Sequence, residues 1–177
     1  MKHRTRHMAY TALFAALIVL CAWIAVPTQP PFTMQTFAVF GAALCLGARR
    51  GAAAVGLYLA LGAVGVPVFA GFGGGIGYLL GASGGFALGF LPAAWIAGRM
   101  AERGRGGMRI LGCALGLLVC YGIGTLWYAL VFAGGSVGLG SAAAVCVLPF
   151  VLPDAIKIAL ALALSRIFVR FVPDRAS

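Results

Sequence analysis

The sequence predicts an all-α integral membrane protein with six transmembrane helices in one domain, residues 1–177, and with both termini in the cytoplasm. Three observations support this fold class. Of the 177 residues, 63% are hydrophobic and 9% are charged, whereas soluble domains average about 25% charged residues. Glycine, which is more frequent in transmembrane than in soluble helices, occurs 27 times. Long apolar runs alternate with short basic stretches along the chain.

About 20 apolar residues cross a bilayer as an α-helix, and this length divides the chain into six segments. The first, residues 8–26, follows a basic stretch as the core of a signal peptide does, but it exceeds the 7–15 residues of such a core. It is therefore predicted to be a retained helix. The second is short and follows a proline-marked polar stretch, and the sixth is interrupted by Pro149 and Pro153. The later segments are residues 32–46, 51–68, 78–98, 110–132 and 141–172.

The basic residues predict the orientation, because cytoplasmic loops of membrane proteins are enriched in Lys and Arg. With a cytoplasmic N-terminus, every Lys and Arg except Lys157 falls on the inner side. The predicted outer loops, residues 27–36, 67–77 and 133–140, contain none of them. Both termini are therefore predicted to lie on the cytoplasmic side of the cell membrane. The inner basic residues are Lys2, Arg4, Arg6, Arg49, Arg50, Arg99, Arg103, Arg105, Arg109, Arg166, Arg170 and Arg175.

Small residues at four-residue spacing predict close helix contacts, since they let two backbones approach each other. Two segments carry glycines in this pattern, and we expect those to pack within the chain. The first segment carries Ala12 and Ala16 on one face, a pair that could equally meet a separate partner. The glycines are Gly77, Gly81, Gly85 and Gly89 in the fourth segment and Gly112 and Gly116 in the fifth.

Several functional classes are disfavoured by the sequence. The glycine-rich residues 70–85 contain no GxxxxGK[ST] motif, because no lysine occurs between Lys2 and Lys157, so no ATPase is predicted in this chain. Three acidic residues and two histidines are too few for paired catalytic carboxylates or a catalytic triad, and no cysteine spacing fits zinc. We therefore predict no enzyme activity, no cofactor, no metal and no nucleic-acid partner.

Asp154 and Lys157 are the candidate functional residues of the sixth segment. Ionisable residues inside transmembrane segments cost about 2.5–3.5 kcal/mol each at mid-bilayer and are functional candidates by default. Pro153 is predicted to start a helix, which places both residues in its first turn. Counting about 1.5 Å per residue from Arg170 puts Lys157 in the outer half of the membrane, where it is expected to hold a carboxylate. The competing interpretation is a self-satisfied ion pair.

The polar stretch at residues 29–37, in which the second segment begins, is a candidate lid over this pair. Thr33, Gln35 and Thr36 offer hydrogen-bonding groups, while Phe32 and Phe37 offer apolar walls. Ligand sites combine mostly apolar walls with a few polar groups. An ordinary exposed loop is the alternative.

Three stretches, taken together and in this order, resemble the BioY family, the biotin-binding S components of energy-coupling factor (ECF) transporters. They read PFTMQTFAVF, LGAVGVPVFAGFGGGIGYLLGASGGFALGF and LPFVLPDAIK, and the resemblance covers nearly the whole chain. It implies a six-helix S-component fold, capture of biotin from outside, and dependence on a separate transmembrane coupling protein with ATPase subunits. It also implies that Asp154 and Lys157 contact the ligand and that Ala12 and Ala16 dock on the coupling protein.

One stretch departs from the family pattern. Where the family usually has Gly-Pro-Thr-Gly-Gly-Tyr, this chain has Gly81-Ala82-Ser83-Gly84-Gly85-Phe86, so the proline and the tyrosine hydroxyl are lost while Ser83 keeps a hydroxyl. Ser83, Gly84 and Gly85 are the ligand contacts that the resemblance implies here.

The function that follows is biotin uptake, with the fused ring between apolar side chains, the ureido group near Asp154 and the carboxylate near Lys157. Two alternatives stay open. One is an S component for another small vitamin, and the other is a structural membrane subunit without a ligand, whose charged pair only fixes helix register. Also open is whether the chain works alone, as a homo-oligomer, or only with an energising module.

Overall fold

The computed structural model describes residues 2–28, 30–103 and 106–168, which are mostly helical. These ranges hold eight α-helices, a 3₁₀ turn at Ala70–Phe72, a π-helical turn at Tyr128–Phe132, and a small antiparallel hairpin in which Ala25 lies opposite Thr33. The strands are β1 (Ala25–Val26) and β2 (Phe32–Thr33). The helices are α1 (Lys2–Trp23), α2 (Gln35–Leu46), α3 (Ala48–Ala63), α4 (Ile76–Leu79), α5 (Gly84–Arg103), α6 (Gly106–Trp127), α7 (Leu139–Cys146) and α8 (Leu148–Phe168).

The helix lengths agree with a membrane protein. Among the described residues, three spans are long and apolar enough to cross a bilayer, namely Thr5–Trp23, Gly106–Phe132 and Leu148–Phe168. Helix α2 is apolar but shorter. It occupies the centre of the fold, since ten of its twelve residues are buried against its neighbours. The chain is therefore a multi-pass, all-helical membrane protein.

Several predicted segments differ from the observed helices. The first runs past the end of α1 into strand β1, and the third extends to residue 68 although α3 ends at Ala63. The second begins as strand β2, and its helix starts only at Gln35. The fourth is divided into α4 and α5, and the sixth into α7 and α8. The expected end of the sixth segment near Val172 lies outside the described residues, as do Arg105, Arg170 and Arg175.

The predicted helix start at Pro153 is wrong. Helix α8 begins at Leu148, so Pro149 lies in its first turn, where the missing N–H costs nothing. The break before α8 is at Val147, whose φ of −121° and ψ of −53° depart from helical values. Pro153 lies inside α8, and Asp154 and Lys157 occupy its second and third turns. The helix dipole acts mainly on the first turn and therefore contributes little at these residues.

Half of the predicted glycine face is confirmed as a packing surface. Gly85 and Gly89 of α5 lie against α6: a Cβ on Gly89 would stand 3.1 Å from the Cα of Cys120, and one on Gly85 would overlap Trp127. The two glycines predicted in the fifth segment approach α5 in the same way from α6. Gly77 and Gly81 do not continue the face, because the chain turns between α4 and α5.

A second close approach joins α5 to the start of α3. The Glu102 carboxylate accepts a hydrogen bond from the Ala48 amide at 2.8 Å, which satisfies one of the free N–H groups at that helix start. Arg99 holds the same carboxylate at 3.2 Å. Gly98 makes this contact sterically feasible, because a Cβ there would lie 2.5 Å from the Ala48 nitrogen.

We expect Gly98→Ala to destabilise the protein by about 1–3 kcal/mol, as overpacking typically does. The predicted decrease in the thermal unfolding midpoint in detergent is about 2–12 °C for a chain of this size. Gly122→Ala is the matched control, since a Cβ there meets nothing within 4 Å. An equal midpoint for both variants would contradict the proposed contact.

Candidate ligand-binding site

The charged pair of α8 is buried. Lys157 Nζ lies 2.8 Å from Asp154 Oδ1, and the side chains are only 5% and 6% exposed. The i,i+3 spacing places them on one helix face, as the sequence predicts. An ion pair withdrawn from water needs further hydrogen bonds to offset its lost hydration. Both partners make such bonds to other elements of the fold.

Lys157 connects α8 to the hairpin. Its ammonium donates to the carbonyl oxygen of Thr33 at 2.7 Å, although the two residues are 124 positions apart. The Phe32 ring covers the ammonium, with Nζ 3.8 Å from the ring centroid in a cation–π contact. That ring also stacks on Phe150 at 6.0 Å. The hairpin is therefore held over α8 by the lysine.

Asp154 connects α8 to α6. Its second oxygen, Oδ2, accepts a hydrogen bond from the Tyr121 hydroxyl at 2.7 Å. Sequence reasoning missed Tyr121. The available signal was a tyrosine within a predicted transmembrane helix, since a buried phenol usually has a hydrogen-bond partner.

A second chain of hydrogen bonds links the hairpin to α3. The Thr33 hydroxyl donates to Gln35 Oε1 at 3.0 Å and accepts from the Gln35 amide at 3.3 Å. The Gln35 side-chain amide then donates to the Tyr58 hydroxyl oxygen at 2.6 Å. All three side chains are buried. Sequence reasoning found the first two residues and missed Tyr58.

Aromatic contacts fix the position of Tyr58. Its ring meets Phe69 edge-to-face at a centroid distance of 5.4 Å, and Phe69 stacks on Tyr78 at 4.6 Å. Gly62 leaves the space that the Phe69 ring occupies, because a Cβ there would overlap it. The hydroxyl of Tyr58 is thus held at a defined place between α2 and α3.

The charged pair and the hydrogen-bonded chain of Thr33, Gln35 and Tyr58 line one cavity. Its narrow interior measures about 60 Å³, room for a few water molecules, and it is partly open to the surroundings. The apolar part of the wall includes Phe86, Phe90, Leu117 and Phe150. The polar part combines Asp154 and Lys157 with hydroxyl and amide groups. Such a lining is typical of small-molecule sites.

The structure brings many of the candidate ligand residues to this cavity, but not all. Asp154, Lys157, Thr33, Gln35, Thr36 and Ser83 line it, and Phe32 covers the lysine from the hairpin side. Gly84 and Gly85 are buried in the packing at the start of α5 and lie outside the lining.

Two other predicted features lie elsewhere. Phe37, expected as a wall of the lid, instead lines an apolar groove between α1, α2 and α8. Ala12 and Ala16 are exposed on the outer face of α1. Within the described ranges, no three His, Cys, Asp or Glu side chains cluster as a metal site would require.

The model of the BioY family matches residues 1–174. The chain belongs to the BioY family. The resemblance seen in the sequence is therefore confirmed.

Two BioY relatives align over most of their length. A probable biotin transporter BioY of Pyrococcus horikoshii is 43% identical, with 89% of this chain and 93% of that protein covered. A biotin transporter BioY of Rhodobacter capsulatus is 35% identical, with 96% of each chain covered. A crystal structure of the S-component for biotin from an ECF-type ABC transporter superimposes with a TM-score of 0.84 at 24% identity, covering 96% of this chain and 93% of that chain. This BioY protein thus has the fold of that S-component.

Removing only the lysine should destabilise this BioY protein strongly. Lys157→Met leaves the Asp154 carboxylate buried without its counter-charge, a loss of typically about 3–5 kcal/mol. The double variant Asp154→Leu with Lys157→Met removes both charges and should recover part of that loss. Thermal unfolding in detergent without ligand ranks the stabilities of the wild-type protein, the single variants and the double variant. A double variant as unstable as the sum of both single variants would show that the pair is not a mutually compensated unit.

Proposed function

We propose that this BioY protein captures biotin in the cavity between α2, α3, α6 and α8, as the membrane-embedded S component of an ECF-type transporter. The observation that carries the proposal is the buried, charge-balanced Asp154–Lys157 pair on the wall of an aromatic-lined cavity. Family membership and the names of the aligned relatives support the choice of biotin.

The geometry of the pair suits the ureido group of biotin. A ureido edge presents an N–H donor beside a carbonyl acceptor, and the pair presents an acceptor and a donor 2.8 Å apart. We therefore place the ureido N–H at Asp154 and the ureido oxygen at Lys157. The biotin carboxylate, at the far end of a pentanoate chain, is too remote from the ring to share this point. This arrangement replaces the expectation that the carboxylate lies at Lys157.

Binding requires movement of the hairpin. The narrow interior has room for only a few water molecules, so a ligand of the size of biotin fits there only if the walls separate. Lys157 is bonded to Thr33 and covered by Phe32. A ureido oxygen that takes over the lysine would compete with the Thr33 carbonyl. The hairpin is accordingly the proposed lid.

The proposed topology has six crossings in a single domain, residues 1–177, in the cytoplasmic membrane. Helices α4 and α5 form one crossing, and α7 and α8 form another. Both termini lie inside, because this arrangement leaves Lys157 as the sole Lys or Arg outside the inner loops of the sequence. The hairpin and the open side of the cavity then face outward.

The proposed partners are a transmembrane coupling protein and ATPase subunits. The chain has no phosphate-binding motif of its own. Ala12 and Ala16 are exposed on α1, and such small residues let another helix approach closely. This face is the proposed docking surface.

The central test is equilibrium binding of labelled biotin to purified protein. Asp154→Asn and Lys157→Ala should each weaken binding by at least about 10-fold, since each removes a hydrogen bond that involves a charged group. Arg99→Ala is the matched control, because it breaks a second i,i+3 ion pair that is distant in sequence from the candidate residues.

Two results would overturn the proposal. Displacement of biotin by a different vitamin in a competition panel would assign another ligand. No binding by the wild-type protein, together with a stability change alone in the pair variants, would favour a structural subunit.

The docking surface predicts a separation between binding and uptake. Ala12→Trp and Ala16→Trp should abolish most uptake in cells that supply the coupling protein and ATPases, because a bulky ring prevents close approach. Biotin binding in detergent should be unchanged. Ala53→Trp, at an exposed alanine of α3, is the control. Normal uptake by both α1 variants would exclude this face as the docking site.

A further inference from the structure

Tyr58 has a hydrogen to donate into the cavity. Its oxygen already accepts a hydrogen bond from the Gln35 amide, and no described residue accepts the hydroxyl hydrogen. The residue is 1% exposed and lines the cavity. A buried hydroxyl whose hydrogen has no acceptor costs folding free energy. A ligand oxygen that accepts this hydrogen removes that cost, so the hydrogen bond stabilises the complex more than a bond between the same oxygen and water.

The direction of this donor is fixed by the rest of the chain. The Thr33 hydroxyl accepts from the Gln35 amide of the backbone, so its single hydrogen goes to Gln35 Oε1. The NH₂ side of the Gln35 amide therefore faces Tyr58. Because the tyrosine oxygen is occupied by that donor, its own O–H is directed away from Gln35.

The donors around the charged pair are already committed. Tyr121 donates to Asp154, and Lys157 donates to Asp154 and to the Thr33 carbonyl. Lys157 is the only cation among the described side chains that line the cavity. If the ureido group takes the charged pair, the ligand carboxylate must be met by a neutral donor.

We infer that Tyr58, positioned by Gln35, is the residue that receives the carboxylate of the ligand and selects for it. This inference rests on the proposed binding of biotin and adds to it the polar group at the acid end. Gln35 is then a positioning residue rather than a ligand contact. A hydrogen bond to a carboxylate is stronger than one to a neutral oxygen, so the selectivity is for the charged acid over uncharged analogues.

The test compares biotin with biotinol, in which an alcohol replaces the carboxylate and the ureido ring is unchanged. Tyr58→Phe should weaken biotin binding about 10- to 100-fold and biotinol binding less than about 3-fold. Tyr128→Phe is the control, since Tyr128 lies in the π-helical turn outside the lining, and both affinities should be unchanged. Retained biotinol binding also shows that the variant is folded.

Gln35→Met tests the positioning role and serves as the second variant should Tyr58→Phe fail to fold. It should weaken biotin less than Tyr58→Phe does, and the double variant should bind no more weakly than Tyr58→Phe alone, because both act on one hydrogen bond. Additive losses would assign Gln35 a separate role and overturn this part.

The outcomes separate the two proposals. Wild-type protein that binds neither compound contradicts biotin capture itself. Wild-type binding with equal losses of biotin and biotinol in Tyr58→Phe leaves biotin capture intact and overturns the carboxylate assignment. Unchanged affinity for both compounds in that variant does the same.

Discussion

A charge inside an apolar helix bundle has to find its partners within the protein, and this constraint organises the molecule. Asp154 uses one oxygen for Lys157 and the other for Tyr121, while Lys157 reaches the Thr33 carbonyl. These bonds fix α8 relative to α6 and to the hairpin. Without them each ion would retain a desolvation penalty of several kcal/mol. The candidate site therefore also connects elements that are distant in the sequence.

The same bonds hold the hairpin beside the narrow cavity. The lysine that we propose for ligand binding also holds the hairpin, and Phe32 covers it. A ligand oxygen that accepts from Lys157 replaces the hydrogen bond from Lys157 to the Thr33 carbonyl. Opening the hairpin and binding the ligand therefore exchange hydrogen bonds of similar strength. Under the proposed function, the net preference for the ligand comes from the remaining contacts, which are the aromatic walls and the proposed donor Tyr58.

The sequence carries enough information to predict a helical membrane protein and to single out the buried charged pair. Ionisable residues inside an apolar segment are expensive enough to be conspicuous, which is why Asp154 and Lys157 could be singled out. Tyr121 and Tyr58 could not be singled out, because a tyrosine in an apolar helix is not unusual enough to indicate a site. Their hydrogen-bond partners, Asp154 and Gln35, lie 33 and 23 positions away in the sequence. The sequence does not determine the start of α8 correctly, because Pro149 and Pro153 both suit a first helical turn. Only packing decides between them.

The i,i+3 spacing of the buried pair has a consequence for biosynthesis. Helix α8 is the last helix in the described ranges, and it carries both members of the ion pair on one face. The two charges can neutralise each other as soon as this helix forms, before Thr33 or Tyr121 is in place. A charge whose counter-ion lay on another helix would have to enter the lipid alone. Helix α8 therefore brings its own counter-ion when it inserts into the membrane.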